Sequence, residues 1–185
     1  ALFGNCVELE EHLREASSTV EDLKHVVGWK IPQRNNPAKQ LASEIAGTVP
    51  VVYAFRRNSG LARRAKNQIN ENSKMPAILS TLPESCHNEL EAWHKNDVKK
   101  TRFSHIFLRP GENEEERIRI DEMKRILAET DVTDVYEIRG TGKARASQLL
   151  SIVYFTDYVS FYLSILKGID PVSYTHLRAH ETVLD

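Results

Sequence analysis

The sequence predicts an α/β fold, a three-layer α/β/α sandwich around an open, mainly parallel sheet. Three observations lead there. Short, β-branched, nearly continuous apolar runs such as 49–54 have the pattern of strands buried on both faces. These runs alternate with longer segments of helical apolar spacing, a βαβ succession whose right-handed crossovers cover both faces of a sheet. The 185 residues are enough for one core and leave little room for a second complete domain.

The elements follow in chain order. Val7 to Val27 carries Leu9, Leu13, Val20, Leu23 and Val27 at mostly helical spacing among charges, an amphipathic helix. A polar connection containing Pro32 follows. Asn36-Pro37 then supplies an N-cap and a first-turn proline for a short helix over 37–46, ended by Gly47. Val49 to Ala54 is the first strand. Ser59 is expected to cap the next helix, whose Leu61, Ala65 and Ile69 are four apart and leave Arg64, Asn67 and Glu71 on a polar face. Ala77-Ile78-Leu79 is a brief strand and Pro83 to Asn88 a loop, in which His87-Asn88-Glu89 could also start a helix. Ser104 to Arg109 is a strand, Glu112 to Thr130 a helix, and Asp134 to Arg139 another strand. Gly142 opens a long helix, apolar nearly all round between Leu149 and Leu166 and stopped by Gly168. Such a helix is expected to be largely buried, including in a subunit interface.

Lys plus Arg number 25 against 26 Asp plus Glu, a formal net charge of -1. That balance gives no long-range field for a polyanion or an anionic membrane, so neither nucleic acid nor membrane is an expected partner. Arg56, Arg57, Arg63, Arg64 and Lys66 form the one dense basic cluster, read as an exposed helix face in preference to a phosphate site. Cys6 and Cys86 cannot build a framework of several bridges, and a reducing cytoplasm is the expected location. Leu149 to Leu166 is interrupted by Asp157 and hydroxyl residues, and no leader pattern is present, so a soluble, untargeted chain is expected. His, Cys and carboxylates do not fall at metal-ligand spacings, and no glycine-rich phosphate loop is present, so no metal and no cofactor is expected.

The densest chemistry lies in Ala62 to Ala77 (ARRAKNQINENSKMPA), followed by His87-Asn88-Glu89 and preceded by Asn36-Pro37-Ala38-Lys39-Gln40-Leu41-Ala42. Together with Phe107-Leu108-Arg109, Asp157 to Leu163 (DYVSFYL) and Gly168-Ile169-Asp170-Pro171, these segments resemble the second sugar isomerase (SIS) domain of the prokaryotic bifunctional phosphoglucose/phosphomannose isomerases. The resemblance runs over 36–171 and implies a SIS-like fold.

The resemblance also implies an aldose–ketose isomerase interconverting glucose 6-phosphate or mannose 6-phosphate with fructose 6-phosphate through a cis-enediol. Glu71 would be the base that moves the proton between C1 and C2. The chemistry is reasonable on its own terms, because abstraction of a proton beside a carbonyl needs a positioned base whose pKa burial can raise. His87 would assist ring opening and, as in relatives, be offered to the active site of the neighbouring subunit; imidazole suits a step that both donates and accepts near neutral pH. Asn67, Gln68, Asn70 and Asn72 could orient Glu71 or bind sugar hydroxyls, with capping and loop hydrogen bonds as the alternative use. The expected partners are a sugar phosphate substrate and a second copy in a homodimer.

Relatives also carry an N-terminal SIS domain with the phosphate-binding serine and threonine loop. On that comparison residues 1–35 are expected to be a connecting helix and linker, 36–171 the C-terminal SIS domain, and 172–185 a non-native tail that resembles translated sequencing adapter. The turn Ala54 to Asn58 carries Arg56-Arg57 where relatives commonly have glycine and small residues. A competing expectation is a non-catalytic sugar-phosphate-binding or dimerisation SIS module.

Overall fold

In the computed structural model, described for residues 2–89, 93, 102–129 and 133–171, the chain is the expected α/β sandwich. The strands are β1 (Val49–Phe55), β2 (Ile78–Leu82), β3 (Phe103–Arg109) and β4 (Thr133–Arg139), all parallel in the order β2-β1-β3-β4. β1 and β3 are central and buried over nearly their whole length; β1 is an almost continuous apolar run, while β3 also buries Ser104, His105 and Arg109. Val51 aligns with His105 across the β1–β3 pair and with Ile78 across β1–β2.

The helices are α1 (Leu2–Val27), α2 (Pro37–Ile45), α3 (Ser59–Ser73), the single-turn α4 (Ser85–Asn88), α5 (Glu114–Ala128) and α6 (Arg145–Leu166). On one face α3 and α6 pack with α2 over Val52, Ala54, Ile106, Leu108 and Ile138. On the other face Ile120, Met123 and Leu127 of α5 cover Val51, Tyr53, Phe55 and Phe107. Period-2 alternation along each strand divides its side chains between these two cores. Fully buried residues such as Ile45, Ile152 and Leu163 each contribute about 1.5–3 kcal/mol relative to exposure.

Asn36 joins three helices. Its side chain accepts from Lys39 N at 3.0 Å, capping α2, while Nδ2 donates to Gly28 O at 3.1 Å. Tyr162 of α6 donates its hydroxyl to Val27 O at 2.5 Å, tying the end of α1 to the same junction. Farther back, the Glu15 carboxylate of α1 accepts from Lys143 N and Ala144 N, placing a negative charge at the N-terminus of α6. The hydrogen bonds hold the carboxyl below its ordinary range. α1 therefore packs along α6 as part of the fold, with Ala16 and Val27 buried and Leu9 and Leu13 exposed.

Four expectations need correction. Ser59 is the first residue of α3, not its cap; Asn58 precedes it, and the Asn58 side chain makes no capping bond because its oxygen accepts from Arg145. Pro83 to Asn88 is not a continuous loop, since 85–88 close one helical turn. The helix expected from Glu112 starts at Glu114, where Asn113 and Glu116 form a capping box. α6 ends as expected, with Gly168 in the left-handed region (φ 64°), but it is not buried all round. Its packed face is rich in small hydroxyl residues, Ser147, Ser151, Thr156, Ser160 and Ser164, which let α1, α2 and α3 approach closely. The apolar surplus, Leu150, Phe161, Ile165 and Leu166, faces outward. α6 is long and apolar enough to cross a membrane by composition, and its extensive contacts with α1, α2 and α3 make it a helix of the domain. The tail expected over 172–185 lies outside the described residues.

Candidate functional site

Glu71 occupies the last turn of α3. The helix buries Leu61, Ala62, Ala65 and Ile69, so the residue two positions past Ile69 is turned outward, and Glu71 is exposed. The turn that follows is closely fixed. Lys74 takes a left-handed conformation (φ 53°), its ammonium donates to Glu71 O, and Ser73 donates to Ile69 O at 2.6 Å. Asn70 donates to Met75 O at 2.6 Å and closes the chain reversal. Asn72 donates to Gln68 Oε1 at 3.1 Å and to Ser160 Oγ at 2.8 Å, linking α3 to α6. Asn70 and Asn72 thus spend their amide donors on positioning the end of α3. Asn67 is exposed on the same helix and Gln68 half-buried.

His87 lies in α4, exposed, one residue beyond the half-buried Cys86, whose thiol burial pushes up. α4 follows β2 directly. Since β1 and β2 are parallel, α3 returns from the C-terminal end of β1 to the N-terminal end of β2. Glu71 therefore sits at the edge where strands begin, and His87 at the edge where they end. The five residues of β2 intervene, about 13 Å of strand. One chain brings Glu71 together with Asn67, Gln68, Asn70 and Asn72, and does not bring it to His87.

Two polar clusters escaped the sequence reading. Arg109, whose side chain is 1% exposed, ends β3 and donates to Glu112, to Asp121 at 2.9 Å and to Glu137 at 2.6 Å; Lys124 also donates to Glu137. Burial alone would lower the guanidinium's pKa, and the three carboxylates outweigh it. On the sheet face under α5, His105 Nδ1 lies 2.9 Å from the Tyr53 hydroxyl, while Trp93 meets the imidazole edge-on with ring centres 4.8 Å apart. A histidine directly before the apolar run Ile106-Phe107-Leu108 of a strand was the available signal. Among the described residues no three His, Cys, Asp or Glu gather in a way that could hold a metal ion.

Comparison with known proteins adds the family. A family model described as the bacterial phospho-glucose isomerase C-terminal SIS domain matches residues 34–180. A bifunctional phosphoglucose/phosphomannose isomerase of Aquifex aeolicus is 32% identical over 153 residues, 83% of this chain and 48% of that protein. The chain thus spans about half the length of that relative. A D-glucosamine-6-phosphate 4-epimerase of Sulfolobus acidocaldarius is 36% identical over 92 residues, 50% of this chain and 30% of that protein. Among solved structures, a glucose-6-phosphate isomerase like protein from Thermus thermophilus superposes with a TM-score of 0.73 at 23% identity, covering 94% of this chain and 56% of that one. That similarity is one of fold.

Proposed function

Because this chain belongs to the family of bacterial phosphoglucose isomerase C-terminal SIS domains, we propose that it works as the C-terminal SIS domain of an aldose–ketose isomerase converting glucose 6-phosphate or mannose 6-phosphate to fructose 6-phosphate. Glu71 is the base that carries a proton between C1 and C2 of the opened sugar. His87 assists ring opening in the active site of a second copy, and the assembly is a homodimer.

The observation that carries the reading is the disposition of Glu71. It is the one acid of the NQINENSK segment, it reaches solvent, and its helical turn is pinned by Asn70, Asn72, Ser73 and Lys74. A base held on a rigid element loses little on aligning with substrate. The separation of His87 from Glu71 within one chain supports a site shared between copies, since a group acting on the same carbon skeleton must come within hydrogen-bond reach. Trp29, Phe161, Ile165 and Leu166 line an apolar groove of about 380 Å³ that gives a second copy somewhere to pack.

The test joins the chain to an N-terminal SIS domain of the family and assays conversion of fructose 6-phosphate. Glu71→Gln should lower kcat about 10²–10⁴-fold, the usual contribution of a general base. Co-expressing Glu71→Gln and His87→Gln chains should restore about a quarter of wild-type turnover, since half the dimers are mixed and each mixed dimer holds one intact site. Unchanged turnover in Glu71→Gln removes its role, and no recovery on mixing removes the shared site.

A further inference from the structure

His87 stands on α4, a single helical turn, and a turn that short does not hold its shape alone. What fixes it must come from outside. Cys86, Glu89 and Trp93 recur at helical spacing and are half-buried, while His87 is exposed. Glu89 N donates to Ser85 O at 3.1 Å and Trp93 N to Glu89 O at 3.0 Å, so consecutive i,i+4 bonds tie Trp93 to the turn that carries His87.

The inward residues meet the sheet on the face that α5 also covers. Glu89 Oε2 accepts from Ser80 Oγ of β2 at 2.9 Å. Phe103, His105 and Phe107 are two apart on β3 and share this face. Trp93 meets two of these rings edge-on: its centre lies 4.9 Å from that of Phe103 at 64° and 4.8 Å from that of His105 at 89°. His105 is held in turn by Tyr53 of β1, whose ring stacks on it at 5.6 Å and on Phe107 at 4.7 Å. The indole thus abuts a row of rings that belongs to the two central strands. Burial keeps His105 uncharged at neutral pH, so that seat is neutral.

The contact is one of rings and not of hydrogen bonds. Trp93 Nε1 and His105 Nε2 are both buried without a hydrogen-bond partner among the described residues. An N–H buried without a partner costs free energy, so what Trp93 supplies here is aromatic surface, which phenylalanine also offers.

We propose that Trp93 is a positioning residue for His87: seated against His105 and Phe103, and with Glu89 tied to Ser80, it fixes α4 on the sheet and so aims the imidazole of His87 outward. The proposal rests on the role given to His87 above. Trp93 acts through the backbone of α4 and not on the substrate.

Hydrogen exchange on the full chain reads this clamp without reference to activity. The amides of His87 and Glu89, which donate to Glu84 O and Ser85 O, are the reporters. They should exchange at least about tenfold faster in Trp93→Ala, with the amides of β1 and β3 unchanged, and return to within about twofold of wild type in Trp93→Phe. Ser80→Ala, which deletes one hydroxyl and no apolar surface, should speed the same two amides about threefold and decides the matter if Trp93→Ala does not fold.

Turnover then shows whether the clamp serves His87. In the chain joined to an N-terminal SIS domain, Trp93→Ala should lower kcat for fructose 6-phosphate at least about fivefold with KM nearly unchanged, and Trp93→Phe should restore it. In a His87→Gln background Trp93→Ala should cost nothing further. Unchanged exchange at His87 and Glu89 in these variants, or effects of Trp93→Ala and His87→Gln on turnover that multiply, overturns the proposal. Full turnover in His87→Gln overturns the catalytic role of His87 alone, and the exchange rates still decide the clamp.

Discussion

Replacing His105 with phenylalanine should reverse the stability order of variant and wild type between neutral and acid pH. His105 is fully buried on β3, bonded through Nδ1 to the Tyr53 hydroxyl, with Nε2 lacking a hydrogen-bond partner among the described residues. Burial pulls its pKa from 6.5 down to about 4. The unfolded chain therefore takes up a proton near pH 6.5 that the folded chain resists until about pH 4. Stability is complete above the first value and drains away as pH falls to the second. At about 1.4 kcal/mol per pH unit the loss reaches about 3 kcal/mol. Phenylalanine does not titrate. At neutral pH it leaves the Tyr53 hydroxyl without its histidine partner, a cost of about 1–3 kcal/mol, offset in part because the orphaned Nε2 is gone. Urea unfolding monitored by tryptophan fluorescence at about pH 7 and about pH 4 should find the variant weaker in the first and at least equal to wild type in the second. A gap that stays constant across that range would refute the assignment of acid sensitivity to this imidazole.

Glu137 should dominate a lower window. Burial raises its carboxyl, but hydrogen bonds from Lys124 and Arg109 outweigh it and bring the pKa from 4.5 to about 2. Its contribution is thus present above pH 4.5 and lost as pH falls toward 2. Since the carboxylate is partly exposed, about 1–2 kcal/mol remains after solvent screening. Glu137→Gln should cost that amount at neutral pH, with the difference from wild type narrowing in denaturant titrations below pH 4.5. Gly140→Ala should lower Tm, because a Cβ there would meet Gln148 O at 2.7 Å and Gln148 Cα at 3.0 Å in the backbone of α6. Overpacking of this kind costs about 1–3 kcal/mol, and an unchanged Tm would mean that β4 and α6 are less closely apposed than described.

Much of the architecture was legible because it is local. Asn36-Pro37 carries its own cap chemistry, and the helix it starts ends within one residue of expectation. Val49 to Ala54 is too continuously apolar for anything except a central strand, and Ile106-Phe107-Leu108 marks the centre of the next one. The errors arise where a distant residue intervenes. Asn58 loses its capping role to Arg145, which the chain delivers only after three more strands. α4 is a single turn with no periodicity to detect. Arg57 and Arg64 look alike in sequence, yet Arg64 pairs with Asp157 at 2.7 Å across to α6 while Arg57 pairs with Glu116 of α5.

The site shows the same division. Residue types at 71 and 87 identify an acid and an imidazole suited to proton transfer, but their relation in space depends on the direction of β2. A parallel strand after α3 places the end of that helix and the residue beyond the strand at opposite edges of the sheet; an antiparallel partner would have brought them together. If both groups act on one substrate, they come from different chains, and association becomes a condition of catalysis. Dilution below the dissociation constant of the assembly should therefore abolish turnover that depends on Glu71 and His87 while leaving the fold of each chain unchanged.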